Sequence, residues 1–135
     1  MKRREEREQA FFLIFERSFR DDSLQEILDA ALAARDIQVA PYAEKVFYGI
    51  EQNGAQIDAE IENNIIGWKR SRLSRVASSI LQVAVYEMLF EESIPSSVSI
   101  SEAVNLAKLY GTKEEASFVN GVLGGIARKL EKNNA

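Results

Sequence analysis

Few side chains in this sequence could carry chemistry, because its 135 residues include no histidine and no cysteine. Histidine is the commonest general base and metal ligand, and cysteine supplies thiolate nucleophiles and sulfur ligands. The densest carboxylates are Asp58, Glu60 and Glu62, which in principle suit a hard metal ion or an acid and base pair. They alternate with isoleucines at helical spacing, so a solvated helix face is the far stronger interpretation. We therefore predict no catalytic residue, no metal and no cofactor.

Basic side chains are concentrated in two short clusters, although the net charge is −4. The clusters are Lys2, Arg3, Arg4 and Arg7, and Lys69, Arg70, Arg72 and Arg75. The second cluster lies in an interval without acidic residues between Glu62 and Glu87, whereas the first is interleaved with glutamates. An acidic domain is not typical of a duplex binder, but a local basic cluster can still neutralise phosphates. Nucleic-acid binding therefore stays open, and the run from Lys69 to Arg75 is either part of such a surface or a solvated helix start.

Phenylalanine is crowded into the first predicted helix. Phe11, Phe12 and Phe15 are more aromatic residues than one buried stripe needs. Apolar side chains left on a surface are typical of protein contacts. The sequence therefore also allows a protein-interaction module, including a homodimer, in which nucleic-acid binding is secondary.

Helices must position all of these residues. Only two prolines and seven glycines are present, and 46% of the residues are hydrophobic, which favours one domain over residues 1–135 with a core of its own. Apolar residues recur at helical spacing and predict six or seven helices. The predicted starts are capping boxes at Ser23, Ser99 and Thr112 and a proline at position 41, and the predicted stops are near Asn53, Gly67 and Gly111. The run 76–90 is apolar nearly all round and is predicted to lie at the centre.

Neither a membrane span nor a signal peptide is predicted. The most apolar run, residues 80–90, is too short to cross a bilayer and carries Gln82 and Glu87. The basic start is followed by glutamates and has no small-residue cleavage site. We therefore expect a cytoplasmic protein without membrane contact.

Four segments occur in an order that is specific to one family. Residues 3–10 read RREEREQA, residues 84–89 read AVYEML, residues 98–111 read VSISEAVNLAKLYG and residues 118–123 read FVNGVL. Together they resemble the NusB family of transcription antitermination factors over the whole chain. The resemblance implies a compact all-α fold of two helical subdomains and no enzymatic activity.

Members of that family bind boxA RNA jointly with NusE, a small-subunit ribosomal protein, and act on elongating RNA polymerase. For this chain the resemblance implies RNA contacts at Arg3, Arg4, Arg7, Lys108, Phe118 and Asn120, and partner contacts at Phe15 and Glu87. Residues at i, i+3 and i+4 of a helix share a face, so the three arginines are expected to form one exposed patch.

Two positions depart from the family. Gly124 stands where aspartate is common, and Gln82 stands where arginine or lysine is common. Glu5 and Glu6 also dilute the first basic cluster, and each departure weakens a family contact. We therefore expect weak RNA binding by the isolated protein and a stronger dependence on NusE.

Overall fold

The computed structural model describes residues 2–19, 24–35, 38–65 and 73–133. Every regular element in these ranges is an α-helix, which confirms the all-α prediction. The helices are α1 (Arg3–Arg17), α2 (Leu24–Arg35), α3 (Pro41–Gln52), α4 (Gly54–Asn63), α5 (Arg75–Phe90), α6 (Ser96–Tyr110) and α7 (Lys113–Asn133). None of these described helices is long and apolar enough to span a membrane.

Helix α5 is the centre of the bundle. It packs against α1, α3, α4, α6 and α7, and its side chains Ile80, Leu81 and Val85 are at most 1% exposed. A helix that is apolar on all sides needs neighbours on all sides, as the sequence predicted. Helices α1–α4 form one group, α6 and α7 pack on each other, and both groups meet on α5. Their buried side chains join in a single core.

Several helix ends follow the sequence signals. Pro41 is the first residue of α3, where its missing N–H leaves no bond unmade. At the start of α7 the capping box is complete. The Thr112 N–H donates to Glu115 Oε1 at 3.0 Å, and the Glu115 N–H donates to Thr112 Oγ1 at 3.1 Å. Gly111 follows the last residue of α6. These predictions are confirmed.

Other helix ends differ from the predictions. Helix α6 begins at Ser96, preceded by Pro95, so the predicted capping box at Ser99 is wrong. Helix α4 ends at Asn63 rather than near Gly67, because the side-chain amide of Asn64 donates to the Glu60 carbonyl at 2.8 Å and terminates it. The predicted cap Ser23, and the basic residues Lys69, Arg70 and Arg72, lie outside the described residues.

Helices α3 and α5 approach closely at Gly49. A Cβ atom built there would lie 2.2 Å from the ring of Tyr86, far inside van der Waals contact. Glycine is therefore the residue that lets the tyrosine ring lie directly on the backbone of α3. This contact fixes α3 against α5, and each of these two helices carries one of the buried polar residues described next.

Candidate nucleic-acid interface

Two exposed arginines stand at the start of α1, and each already has a partner. Arg4 donates from Nε to Glu102 Oε2 at 3.0 Å and from Nη2 to Oε1 at 3.1 Å. This hydrogen bond and the charge of Glu102 raise the pKa of Arg4. The guanidinium of Arg3 lies 3.8 Å above the ring centroid of Tyr42, and its Nη1 atom is 3.5 Å from Glu6. Both cations are accessible, but both are partly neutralised.

Arg7 lies inside the protein. It is 5% exposed, and its Nε donates to both carboxylate oxygens of Glu87 at 2.7 and 2.8 Å. Glu87 is fully buried and also accepts hydrogen bonds from Ser99 Oγ, at 3.0 Å, and from the hydroxyl of Tyr42. Burial, the hydrogen bond to Glu87 and the charge of that carboxylate raise the pKa of Tyr42, so its hydroxyl stays protonated and donates. Arg7, Tyr42, Glu87 and Ser99 are called the buried polar cluster below.

The buried polar cluster corrects two expectations. The prediction that Arg7 shares an exposed patch with Arg3 and Arg4 is wrong, because its charge is turned inward and compensated by Glu87. The expectation that Glu87 contacts a partner fails for the same reason, since none of its surface is accessible. The cluster instead ties α1 to α3, α5 and α6, and so it holds the helix that carries the two exposed arginines.

Lys108 and Asn120 meet in a groove between α6 and α7. The groove has a volume of about 760 Å³, and its lining residues are Val104, Lys108, Gly111, Lys113, Ala116, Ser117 and Asn120. A neighbouring depression shares Lys108 and Asn120 and adds Ser97, Ser101 and Asn105. Ammonium, amide and hydroxyl groups in this polar groove suit a phosphate backbone and unpaired base edges. Phe118 does not line it; its ring is half-buried and packs against the core.

A second groove is aromatic and lies between α1 and the end of α6. It has a volume of about 490 Å³ and is lined by Phe11, Phe12, Phe15, Glu16, Phe19, Val76 and Tyr110. Phe19 is 60% exposed and Tyr110 is 41% exposed. The crowding seen in the sequence is thus divided: Phe11 is in the core, whereas Phe12 and Phe15 are half-buried and face this aromatic groove.

Arg75 is the described member of the second basic cluster. Its guanidinium lies 4.4 Å above the ring centroid of Phe19 and donates to the carbonyl of Ser18. A cation at the last carbonyls of a helix is favourable, because that end carries partial negative charge. Arg75 therefore stabilises the end of α1 and packs on Phe19, which lines the aromatic groove.

Sequence reasoning missed three residues of this region. Glu102 was taken for a helix cap, but it binds Arg4. Tyr42 carried no signal, since its role depends on contacts with other helices. Lys113 adds a second cation to the polar groove. Its position next to Thr112, just across a turn from Lys108, was the available signal.

The carboxylates noted in the sequence show no metal site. Glu60 Oε1 lies 3.6 Å from the ammonium of Lys129. In the part of the chain that the structure describes, no three acidic residues come close enough together to hold a metal ion.

The fold and these surfaces define a small all-helical bundle with a basic helix start, a polar groove and an aromatic groove. The NusB family matches residues 4–128 of the chain. The transcription antitermination protein NusB of Clostridium novyi (strain NT) is 40% identical over 132 residues, covering 95% of this chain and 99% of that protein. The chain belongs to the NusB family.

Solved structures agree with this assignment. NusB from T. maritima superimposes with a TM-score of 0.86 at 37% identity, over 100% of this chain and 99% of that one. A NusB chain crystallised with NusE and double-stranded RNA has a TM-score of 0.82 at 25% identity, over 96% of this chain and 99% of that one.

Proposed function

We propose that the protein is a cytoplasmic transcription antitermination factor that binds boxA-type single-stranded RNA together with NusE and acts on elongating RNA polymerase. The observation that carries the proposal is the family match over residues 4–128. It is supported by a related NusB structure that holds NusE and double-stranded RNA. No catalytic role is part of the proposal.

The RNA surface in this proposal joins the start of α1 to the polar groove. Arg3, Arg4, Lys108 and Lys113 supply positive charge, and the Asn120 amide offers a donor and an acceptor to a base edge or a sugar. Single-stranded RNA is bound by phosphate neutralisation together with stacking. Stacking of a base on the accessible part of the Phe118 ring stays a prediction.

Arg7 acts in this proposal through its position rather than by touching RNA. Its ion pair with Glu87 fixes the first two turns of α1 against α5, while Ser99 brings α6 to the same carboxylate. The exposed Arg3 and Arg4 of α1 and Lys108 of α6 are thus held in fixed positions relative to one another. NusE is assigned to the aromatic groove around Phe15, because exposed aromatic side chains are enriched in protein interfaces.

The test is a titration of a boxA-type RNA, with and without NusE, at several salt concentrations. We expect binding that strengthens with NusE and weakens as salt rises, with a clear negative slope of log affinity on log salt. A scrambled RNA of equal length is the control for sequence preference. Binding that is absent even with NusE, or that ignores salt, contradicts the proposal.

Self-association is a second candidate function, favoured by the exposure of Phe19 and Tyr110 in the aromatic groove. Sedimentation separates the two. A dimer that dissociates when NusE or RNA is added is a form of the antitermination factor in which self-association covers the binding surface. A dimer that ignores both supports an interaction module, and Phe15→Ser is then expected to dissociate it.

A further inference from the structure

The pairing of Arg4 with Glu102 bears on how the RNA surface works. The Arg4 side chain is 72% exposed, whereas that of Glu102 is only 16% exposed. Glu102 uses the Nε and Nη2 edge of the guanidinium, with three N–O distances between 3.0 and 3.3 Å. That edge is one of the two-pronged faces by which arginine binds carboxylate or phosphate.

A phosphate that approaches this edge meets an occupied site. The pair has no net charge, so an isolated Arg4 would attract a polyanion and the paired one does so only weakly. Glu102 lies on α6, 98 positions from Arg4 in the sequence, and no side chain caps the start of α6. Capping of α6 is therefore not the reason for the position of this carboxylate.

We propose that Glu102 competes with RNA phosphate for Arg4 and thereby lowers the RNA affinity of the free protein. The inference rests on the RNA-binding function proposed above. RNA binding then exchanges one partner of Arg4 for another: the guanidinium leaves the carboxylate and takes a phosphate in the same two-pronged geometry.

The exchange of partners costs little free energy because Arg4 is in contact with water. An exposed ion pair contributes little free energy, so removing the competitor is expected to raise RNA affinity only about 1.5- to 5-fold. The salt dependence changes as well. An exposed ion pair is screened by salt, so in the unaltered protein Glu102 competes less well for Arg4 as the salt concentration rises, which partly offsets the loss of RNA binding. Without the carboxylate this offset disappears, and log affinity is expected to fall more steeply with log salt.

The test compares Glu102→Gln and Glu102→Ala with the unaltered chain in boxA-type RNA titrations at several salt concentrations, with NusE present. Glu5→Gln is the matched control, because it removes the same charge from the same end of α1 without touching the Arg4 pair. Arg4→Ala is combined with Glu102→Gln to ask whether the gain depends on Arg4. Thermal unfolding checks that each variant is folded.

Higher affinity and a steeper salt slope in both Glu102 variants, absent from Glu5→Gln and abolished by Arg4→Ala, is the expected result. Equal binding by the Glu102 variants overturns the inference, and weaker binding overturns it and indicates that Glu102 positions Arg4 instead. A gain that Glu5→Gln reproduces, or that persists without Arg4, also overturns it, since the general charge would then be the cause. If the unaltered chain binds no RNA even with NusE, the proposed function itself fails; normal binding without a gain removes this inference alone.

Discussion

Replacing Glu87 by glutamine is the perturbation that most directly tests the buried polar cluster. The change keeps the shape of the side chain but leaves the guanidinium of Arg7, 5% exposed, without a countercharge. Removing one partner of a buried ion pair costs about 3–5 kcal/mol, because the other charge stays away from water. For a chain of 135 residues, an unfolding entropy of about 2.1 cal/mol/K per residue converts this to a fall in Tm of about 11–18 °C.

The assay is thermal and urea unfolding followed by circular dichroism. Glu51→Gln is the matched control, because Glu51 pairs with Arg17 at the surface and its side chain is 55% exposed. That control is expected to lose less than about 1 kcal/mol. Replacing the whole cluster by apolar groups, as Arg7→Met, Tyr42→Phe, Glu87→Leu and Ser99→Ala together, is expected to restore much of the stability, because no buried charge or hydroxyl is then left without a partner.

A Glu87→Gln variant as stable as the Glu51→Gln control would refute the reasoning. Arg7 would then not be a buried partner of Glu87 in the folded protein. Arg7 would then be exposed together with Arg3 and Arg4, as the sequence predicted.

Three further predictions concern helix contacts and caps. Gly49→Ala is expected to lower the free energy of unfolding in urea by about 1–3 kcal/mol, since its Cβ would enter the ring of Tyr86. Gly121→Ala is expected to raise it by up to about 1 kcal/mol, because a Cβ there meets nothing within 4 Å. Equal effects of the two substitutions would contradict the close contact at Gly49. Thr112→Ala is expected to cost about 1 kcal/mol by the same measurement, whereas Thr112→Ser keeps the cap and should cost much less. Burial and the charge and hydrogen bond of Glu91 raise the pKa of Tyr86 to about 12. The protonated Tyr86 hydroxyl therefore contributes its full stabilisation below about pH 10, the usual pKa of tyrosine. This contribution declines as the pH rises toward 12. Tyrosinate absorbance compared with Tyr86→Phe checks this, and a Tyr86 titration near pH 10 would contradict it.

The fold was predictable to the extent that its signals are local. The apolar run 76–90 identified the central helix, and Pro41 and Thr112 marked two helix starts correctly. These signals depend on the residue and its near neighbours alone. Ser99 shows the limit: its spacing to Glu102 fits a capping box, but tertiary contacts use both side chains elsewhere and α6 begins three residues earlier.

The candidate site was less predictable, because a sequence shows which residues share a helix face but not what that face meets. The spacing of Arg3, Arg4 and Arg7 fits one patch. What divides them is the carboxylate of Glu87, which takes Arg7 into the core across 80 positions of sequence. The pairing of Arg4 with Glu102 spans 98 positions. In contrast, Lys108 and Asn120 are brought together by the short connection between α6 and α7, so their shared groove follows from the order of the helices.

The long separation within the buried polar cluster also constrains how the chain is made. Synthesis delivers α1 first, yet the carboxylate that neutralises its buried arginine follows 80 residues later and the serine that completes the cluster later still. Contacts so distant in sequence form late, after the loop between them has closed. Until α5 has been synthesised, Arg7 therefore lacks its countercharge, and the ion pair that ties α1 to α5 can form only after both helices have left the ribosome.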